Sequence, residues 1–422
     1  MQYANIHLPA RKLMSAHAPI VIVGTGIAAV QAAAALRKSG YGEELILVGA
    51  EKHLPYNRPP LSKEVLQGRL PPSRIALRPE SFYSSKRIEL RTGAPASRID
   101  RQAQRVELID GGQIGYAKLL LATGSTPRPL PALPIGSPDV YYLRSLDDAL
   151  ALRQRLTAGC RLGIVGGGVI GLEVAATAIK AGCQVFIIEA APRVMGRAAC
   201  PELSDFIANR HRAAGVELRC GVTLKGIARG TTGWQLTLSS GETQQVDAVL
   251  VGIGVSPCMA LARESGLPVS DHGILTDEWG RTADPNVHAA GEVAHHVNVF
   301  RGRRERQENW LHAAAHGDLV GRALTGTVPG YDDPSGYWTD QYDLSIQSAG
   351  LPCAEQNVVR GEPAAAKFII YHLDQGVVVG ATAVNAMADF KLAKELIKAH
   401  CRIAPERLTD LSENLASEAQ AQ

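Results

Sequence analysis

Two matching strand, glycine-turn, helix segments, a glycine-rich and aromatic-poor composition, and a hairpin-plus-helix pattern near the C-terminus predict an α/β protein. It has two Rossmann-like dinucleotide-binding domains followed by a C-terminal α+β domain. The first segment, IVIVGTGIAAVQAAAALRKSGYGEELILVGAE, runs from Ile20 to Glu51; the second, LGIVGGGVIGLEVAATAIKAGCQVFIIEAAPR, runs from Leu162 to Arg193. Each is an apolar strand, a glycine turn, an alanine-rich helix and a second strand ending near an acid, so the chain contains a duplicated nucleotide-binding unit. The 42 glycines and 5% aromatics suit the tight strand-to-helix turns of a parallel architecture.

At 422 residues the chain exceeds what one hydrophobic core serves, and two or three domains are expected. With 45% hydrophobic and 20% charged residues it is neither disordered nor fibrous. A net charge of +3 without a basic run interleaved with aromatics argues against nucleic acid. Seven scattered cysteines, none in a C-x-x-C pair, exclude a zinc cluster or dithiol of that type and suit a reducing compartment. No apolar run reaches the roughly 20 residues of a membrane span, nor does the N-terminus carry a signal-peptide core. A cytoplasmic protein with loosely ordered termini is expected.

Between the two segments, RVELI before Asp110-Gly111 predicts a hairpin, and the run KLLLA before Thr123-Gly124 a buried strand. Pro127, Pro129, Pro131 and Pro134 punctuate a connector. After the second segment, WQLTL and DAVLVGIG read as strands. KFIIYHL, the Asp374-Gln375-Gly376 turn, VVVGATAV and FKLAKELIKAH then form a hairpin and helix. The expected division is 14–125 with 246–330 for the first nucleotide-binding domain, 126–245 for the second, and 331–422 for the C-terminal domain.

The turns carry the chemistry. Gly24, Gly26 and Ala29 form G-x-G-x-x-A between a strand and a helix, and Gly166, Gly168 and Gly171 repeat it. The first glycine permits the turn, the second lets a pyrophosphate approach the backbone, and the third small residue lets helix and strand pack closely. One such pattern is a common packing device; two in matching contexts predict two dinucleotides. Glu189 ends the second strand of the second unit, where a carboxylate accepts both ribose hydroxyls of NAD and repels the 2′-phosphate of NADP. Arg193 and Arg197 stand near enough to soften that preference. In the first unit Ala50 occupies the corresponding place, with Glu51 after it.

The strings PYNRPPLSK (Pro55 to Lys63), LLLATGSTPRPLP (Leu119 to Pro131), GGGVIGLEVA, EAAPRV, GIGVSP, DPNVHAAGEVA and YWTDQYDL resemble the NADH-dependent ferredoxin reductases of bacterial ring-hydroxylating dioxygenase and cytochrome P450 systems. The resemblance covers about residues 19 to 400. It implies a glutathione-reductase-like fold in which the FAD domain is split around the NAD domain, and electron transfer from NADH through FAD to a [2Fe-2S] ferredoxin. It places Arg58 and Lys63 against FAD, Glu173 near the flavin and nicotinamide, Glu292 where Asp usually meets the ribityl chain, and Trp338 beside the isoalloxazine. It also assigns Glu51, Ala122, Thr123, Gly124, Arg128, Gly291 and Trp310 to cofactor binding, and Lys63, Glu173 and Trp338 to the reacting junction. The chain departs from the family pattern at Ala50, Glu292, Asn309 and Gly336.

Several residues carry a plainer reading beside the sharp one. Glu173, two residues past Gly171, reads as a first-turn dipole complement or as a crevice acid. Adjacent His295 and His296 have no third ligand at metal spacing in sequence and read as structural; no metal is expected. The segment RGRRER reads as a solvated loop or, with Arg360, as a rim for an acidic ferredoxin through Arg301, Arg303 and Arg304. A rubredoxin acceptor and an apoptosis-inducing-factor-like NADH sensor are the alternatives. A disulfide reductase is disfavoured because NRPPLSKEVL, expected to open an early helix, contains no cysteine.

Overall fold

The computed structural model describes residues 18–326, 328–416 and 418. The N-terminal segment expected to be loosely ordered lies outside these residues, as do residues 417 and 419–422 of the final stretch.

The apolar runs IVIV, LILV and LLL are buried because their strands are covered on both faces, as parallel strands require. They form a five-stranded parallel sheet in the order Val287–Ala289, Lys118–Leu121, Ile20–Val23, Leu45–Val48, Ile88–Arg91. One edge strand thus comes from beyond the second duplicated segment, so the first unit is split in sequence.

The second sheet repeats this plan: Glu217–Cys220, Gln184–Glu189, Arg161–Val165, Ala248–Val251, Val140–Tyr141, all parallel. Here the pairing corrects the expected switch at residue 246. Ala248–Val251 is hydrogen-bonded to Arg161–Val165 and belongs to the second sheet, because an apolar run that buries both faces fits either parallel sheet equally well in sequence. Each unit also carries a three-stranded antiparallel appendage: Ala96–Asp100, Arg105–Leu108 and Gln113–Gly115 in the first, and Leu224–Arg229, Trp234–Leu238 and Thr243–Val246 in the second. Ser125–Pro127 pairs with Val255–Pro257, so the two crossings between the units run side by side.

The long helix Trp310–Ala323 lies against Ile27–Lys38. A Cβ at Gly317 would stand 2.3 Å from the Ala28 carbonyl oxygen, and one at Gly321 2.5 Å from that of Ala32. Small residues on both helices allow this approach, which brings residues 291–316 behind the first glycine turn.

The predicted C-terminal hairpin is Lys367–Asp374 with Val377–Val384. It forms part of a five-stranded antiparallel sheet, ordered Gly336–Gln341, Leu344–Gly350, Val377–Val384, Lys367–Asp374, Gln356–Glu362. Helix Met387–Lys398 buries Phe390, Ala393, Leu396 and Ile397 on it. The edge strand Gly336–Gln341 reaches back to helix Val169–Lys180, and that contact assembles the site.

Candidate functional site

Both glycine turns form open cradles. Gly24 has φ +122° and Gly166 φ +112°, the left-handed region, and a Cβ on them would strike the carbonyl oxygens of Ala122 at 2.2 Å and Gly252 at 2.4 Å. Gly26 and Gly168 cap the N-termini of Ile27–Lys38 and Val169–Lys180, and nothing lies within 4 Å of a Cβ built on either. Neither helix has an acid in its first turn, so each presents free N–H groups and an uncompensated positive dipole end to open space, which fits a pyrophosphate. Ala29 is buried; at Gly171 a Cβ would meet the Gly166 carbonyl oxygen at 2.3 Å, so the second turn is the tighter.

Glu189 is held at the lip of the second cradle, where its carboxylate accepts from Gly167 N–H at 2.6 Å and Ala191 N–H at 2.7 Å. Arg193 donates to the carbonyls of Ala199, at 2.6 Å, and Gly196, and so serves its own loop. Arg197 stays exposed, 3.9 Å from Glu308.

Around the first cradle, Arg58 pairs with Glu51 at 2.6 Å, donates to Tyr56 Oη at 3.0 Å and to the Arg144 carbonyl at 2.7 Å, and Tyr56 donates to Glu51. Burial pushes the Tyr56 hydroxyl well above its ordinary pKa. Glu292, on the short turn Gly291–Val293, pairs with Arg144 at 2.7 Å. Thr123 Oγ1 donates to the Cys258 carbonyl at 2.8 Å, and Gly124 stands beside the Arg144 guanidinium. Arg128 is exposed on the crossing strand pair, bound there through its backbone to Gly254. Trp310 Nε1 is buried without a protein partner, a donor left free for a cofactor atom on this side. Asn309 caps its helix by accepting from His312 N–H at 2.7 Å, so the departure from Ser or Thr preserves the capping chemistry.

The junction expected around Lys63, Glu173 and Trp338 draws on three parts of the chain. Arg58-Pro59-Pro60 leads into a 3₁₀ turn, Pro59–Ser62, and further turns rather than the α-helix expected, since two prolines remove N–H donors. This turn delivers buried Lys63, whose Nζ lies 3.5 Å from Glu173, 3.3 Å from Asp340 and 5.9 Å from the centre of Trp338. Trp338 meets Trp310 edge-to-face at 5.8 Å. Glu173 lies beyond the first turn of its helix, which removes the dipole reading. Its carboxylate accepts from Ser62 and from Thr339 Oγ1 at 2.7 Å; burial nonetheless pushes its pKa above the usual carboxylate range, against the pull of Lys63 and these donors. Ser62, Thr339 and Asp340 escaped the sequence reading because their only signal was adjacency to Lys63 and Trp338; Tyr56 and Arg144 gave even less.

Residues 18–317 match the pyridine nucleotide-disulphide oxidoreductase family, and residues 337–419 match a reductase C-terminal family. The chain belongs to the pyridine nucleotide-disulphide oxidoreductase family. This oxidoreductase is 41% identical to the ferredoxin–NAD(+) reductase component of the anthranilate 1,2-dioxygenase system of Burkholderia cepacia, over 93% of this chain and 97% of that protein. It is 36% identical to putidaredoxin reductase of Pseudomonas putida, over 94% and 96%. A crystal structure of a ferredoxin reductase from Rhodopseudomonas palustris superposes with a TM-score of 0.92 at 37% identity, covering 95% of this chain and 99% of that one. The reductase uses FAD and NADH, and its two cradles fit two dinucleotides. Despite the family's name, all seven of its cysteines are free. No helix among the described residues is long and apolar enough to cross a membrane.

The expected basic rim of the reductase is narrower than its sequence suggests. Arg360 donates to the carbonyls of Leu408, Asp410, Leu411 and Glu413 and clamps the C-terminal segment, a role invisible before the chain folds back. Arg301 pairs with Glu305, and Arg304 donates to the carbonyls of Thr276 and His295; Arg303 is exposed. His295 and His296 diverge on alternating faces of one strand: His295 meets Ser270 at 2.8 Å, whereas His296 is buried beside His312 and His316. The missing neighbours of His296 are therefore supplied by the next helix of the chain, Trp310–Ala323.

Proposed function

We propose that this reductase passes electrons from NADH through FAD to a [2Fe-2S] ferredoxin that serves an oxygenase. The observation that carries the reading is the contact of Lys63 from the first unit, Glu173 from the second and Trp338 from the C-terminal strand at one place. FAD, when bound, accepts a two-electron hydride and releases electrons singly, which is what lies between NADH and an iron-sulfur cluster. The chain's own residues hold and screen that exchange. Lys63 supplies a fixed positive charge beside the Glu173 carboxyl, Ser62 and Thr339 orient that carboxyl, and Trp310 and Trp338 cover the side facing the C-terminal sheet. Glu189 selects NADH by accepting from ribose hydroxyls and repelling a 2′-phosphate.

The relatives' names support a ferredoxin acceptor, and one neighbour, 35% identical with a TM-score of 0.91, is a covalent putidaredoxin reductase–putidaredoxin complex. An acidic partner approaching past Arg303 completes the reading, and seven free thiols suit a cytoplasmic location. Stopped-flow reduction by NADH, followed by reoxidation with a panel of ferredoxins and rubredoxins, tests it. Reoxidation is expected to be fast with a ferredoxin and slow with rubredoxins and oxygen. Preference for a rubredoxin, or a long-lived reduced state with every acceptor, would overturn it.

A further inference from the structure

Three buried histidines converge behind the turn that carries Glu292. His296 comes from strand Ala294–Asn298, and His312 and His316 lie one turn apart on helix Trp310–Ala323. Their exposures are 0%, 1% and 0%. The rings of His296 and His312 are stacked at 4.7 Å, His316 lies 4.6 Å from His296 and 5.1 Å from His312, and one ring nitrogen from each falls within 4.8 Å of the others.

The hydrogen-bond account of these rings is incomplete. His312 Nδ1 meets Tyr331 Oη at 2.8 Å, and His316 Nδ1 accepts from Gly291 N–H at 3.1 Å. Both nitrogens of His296, Nε2 of His312 and Nε2 of His316 are buried without a partner. Packing alone does not explain this, because apolar side chains would fill the same space without forfeiting solvation.

Two histidines at i and i+4 on a helix face, with a third from a neighbouring strand, are an arrangement that ligates a metal ion, and imidazole suits zinc, copper and nickel. We propose that His296, His312 and His316 bind a single divalent first-row transition metal ion of the zinc class. Tyr331 is the outer partner that orients His312, as ligating histidines require. Metal–nitrogen distances of about 2.0–2.1 Å mean that the rings turn inward on binding.

His316 links this site to the flavin side. If Nε2 ligates, the neutral ring carries its proton on Nδ1; if Nδ1 ligates, its lone pair is taken. Either way Gly291 N–H loses its acceptor, and the Gly291–Val293 turn that holds Glu292 against Arg144 is disturbed. Metal loading therefore changes the flavin absorption spectrum.

The test uses the FAD-bound protein, from cells grown with added cobalt(II) and, separately, incubated with cobalt(II) or zinc(II) chloride and then gel-filtered. Elemental analysis is expected to find one cobalt per chain, with absorption to the red of the flavin bands, displaced by zinc and accompanied by a shift in the flavin spectrum. H312N and H316Q are expected to lose at least roughly tenfold in affinity, Y331F roughly tenfold, and H295N, outside the cluster, nothing. FAD content and the thermal midpoint report whether each variant folds. Wild type without stoichiometric metal by either route overturns the site whatever the variants do, as does equal retention by folded H312N or H316Q.

Discussion

Glu173 is a carboxyl kept from water by its neighbours, and its stability contribution has a definite sign. Because burial raises its pKa in the folded chain, the folded state holds the proton more firmly than the unfolded state, whose value is about 4.3. Stability is thus lost as pH rises from that value through the folded pKa. Replacing Glu173 with Gln removes the slope: the thermal midpoint of E173Q is expected to gain on wild type as pH rises above about 4.3. A gap that stays constant over that range would mean that Lys63 and the two hydroxyls fully offset the burial. Glu189 makes a separate prediction. Its carboxylate is satisfied by two backbone N–H groups at the cradle lip, so it is fixed before any ribose arrives. E189A is expected to reduce the NADH-over-NADPH ratio of kcat/KM by roughly tenfold or more, measured by flavin reduction with each nucleotide. Its place at a strand end after the glycine turn was legible in sequence, but the two N–H contacts that pin it were not.

Where a strand meets its helix, the second and third glycines of the second turn's motif separate binding from packing. Gly168 faces open space, whereas a Cβ at Gly171 would lie 2.3 Å from the Gly166 carbonyl oxygen. G168A should therefore fold with an unchanged thermal midpoint and raise the apparent KM for NADH by roughly tenfold, by standing where the pyrophosphate approaches the backbone. G171A should do the reverse and destabilise the second unit by about 1–3 kcal/mol, as overpacking does; denaturant unfolding and NADH titration of both variants check the pair. The motif's spacing revealed both glycines, since each is needed for a local reason. Close packing of Gly317 and Gly321 on Ala28 and Ala32 had no such signal, because the helices lie nearly the length of two domains apart in sequence.

The assembled chain decides which charges are available to a partner. Of the arginines in RGRRER, Arg303 and Arg304 are exposed, Arg304 being held by two backbone carbonyls that leave its charge in place, while Arg301 and Arg306 are paired with Glu305 and Glu308. R303E is expected to raise the KM for an acidic ferredoxin by roughly threefold to tenfold and flatten its salt dependence, leaving NADH reduction of FAD unchanged, because a rim charge acts on encounter. Steady-state assays at several ionic strengths, with stopped-flow as the control, check this. Reversing Arg304 would break its contacts with Thr276 and His295 and confound the result.

The sequence by itself determined the duplicated unit, the two cradles, the strand-end position of Glu189 and the C-terminal hairpin and helix. Each depends on short-range pattern: a run of apolar residues, a glycine at a turn, an acid at a strand end. Only the tertiary structure decided that Ala248–Val251 joins the second sheet, that Arg360 clamps the C-terminal segment, and that Asp340 and Thr339 complete the Lys63–Glu173 junction. It also decided that His296 meets His312 and His316. These contacts join residues far apart in the chain, and a buried apolar strand or a charged side chain carries no local mark of which distant partner it will meet.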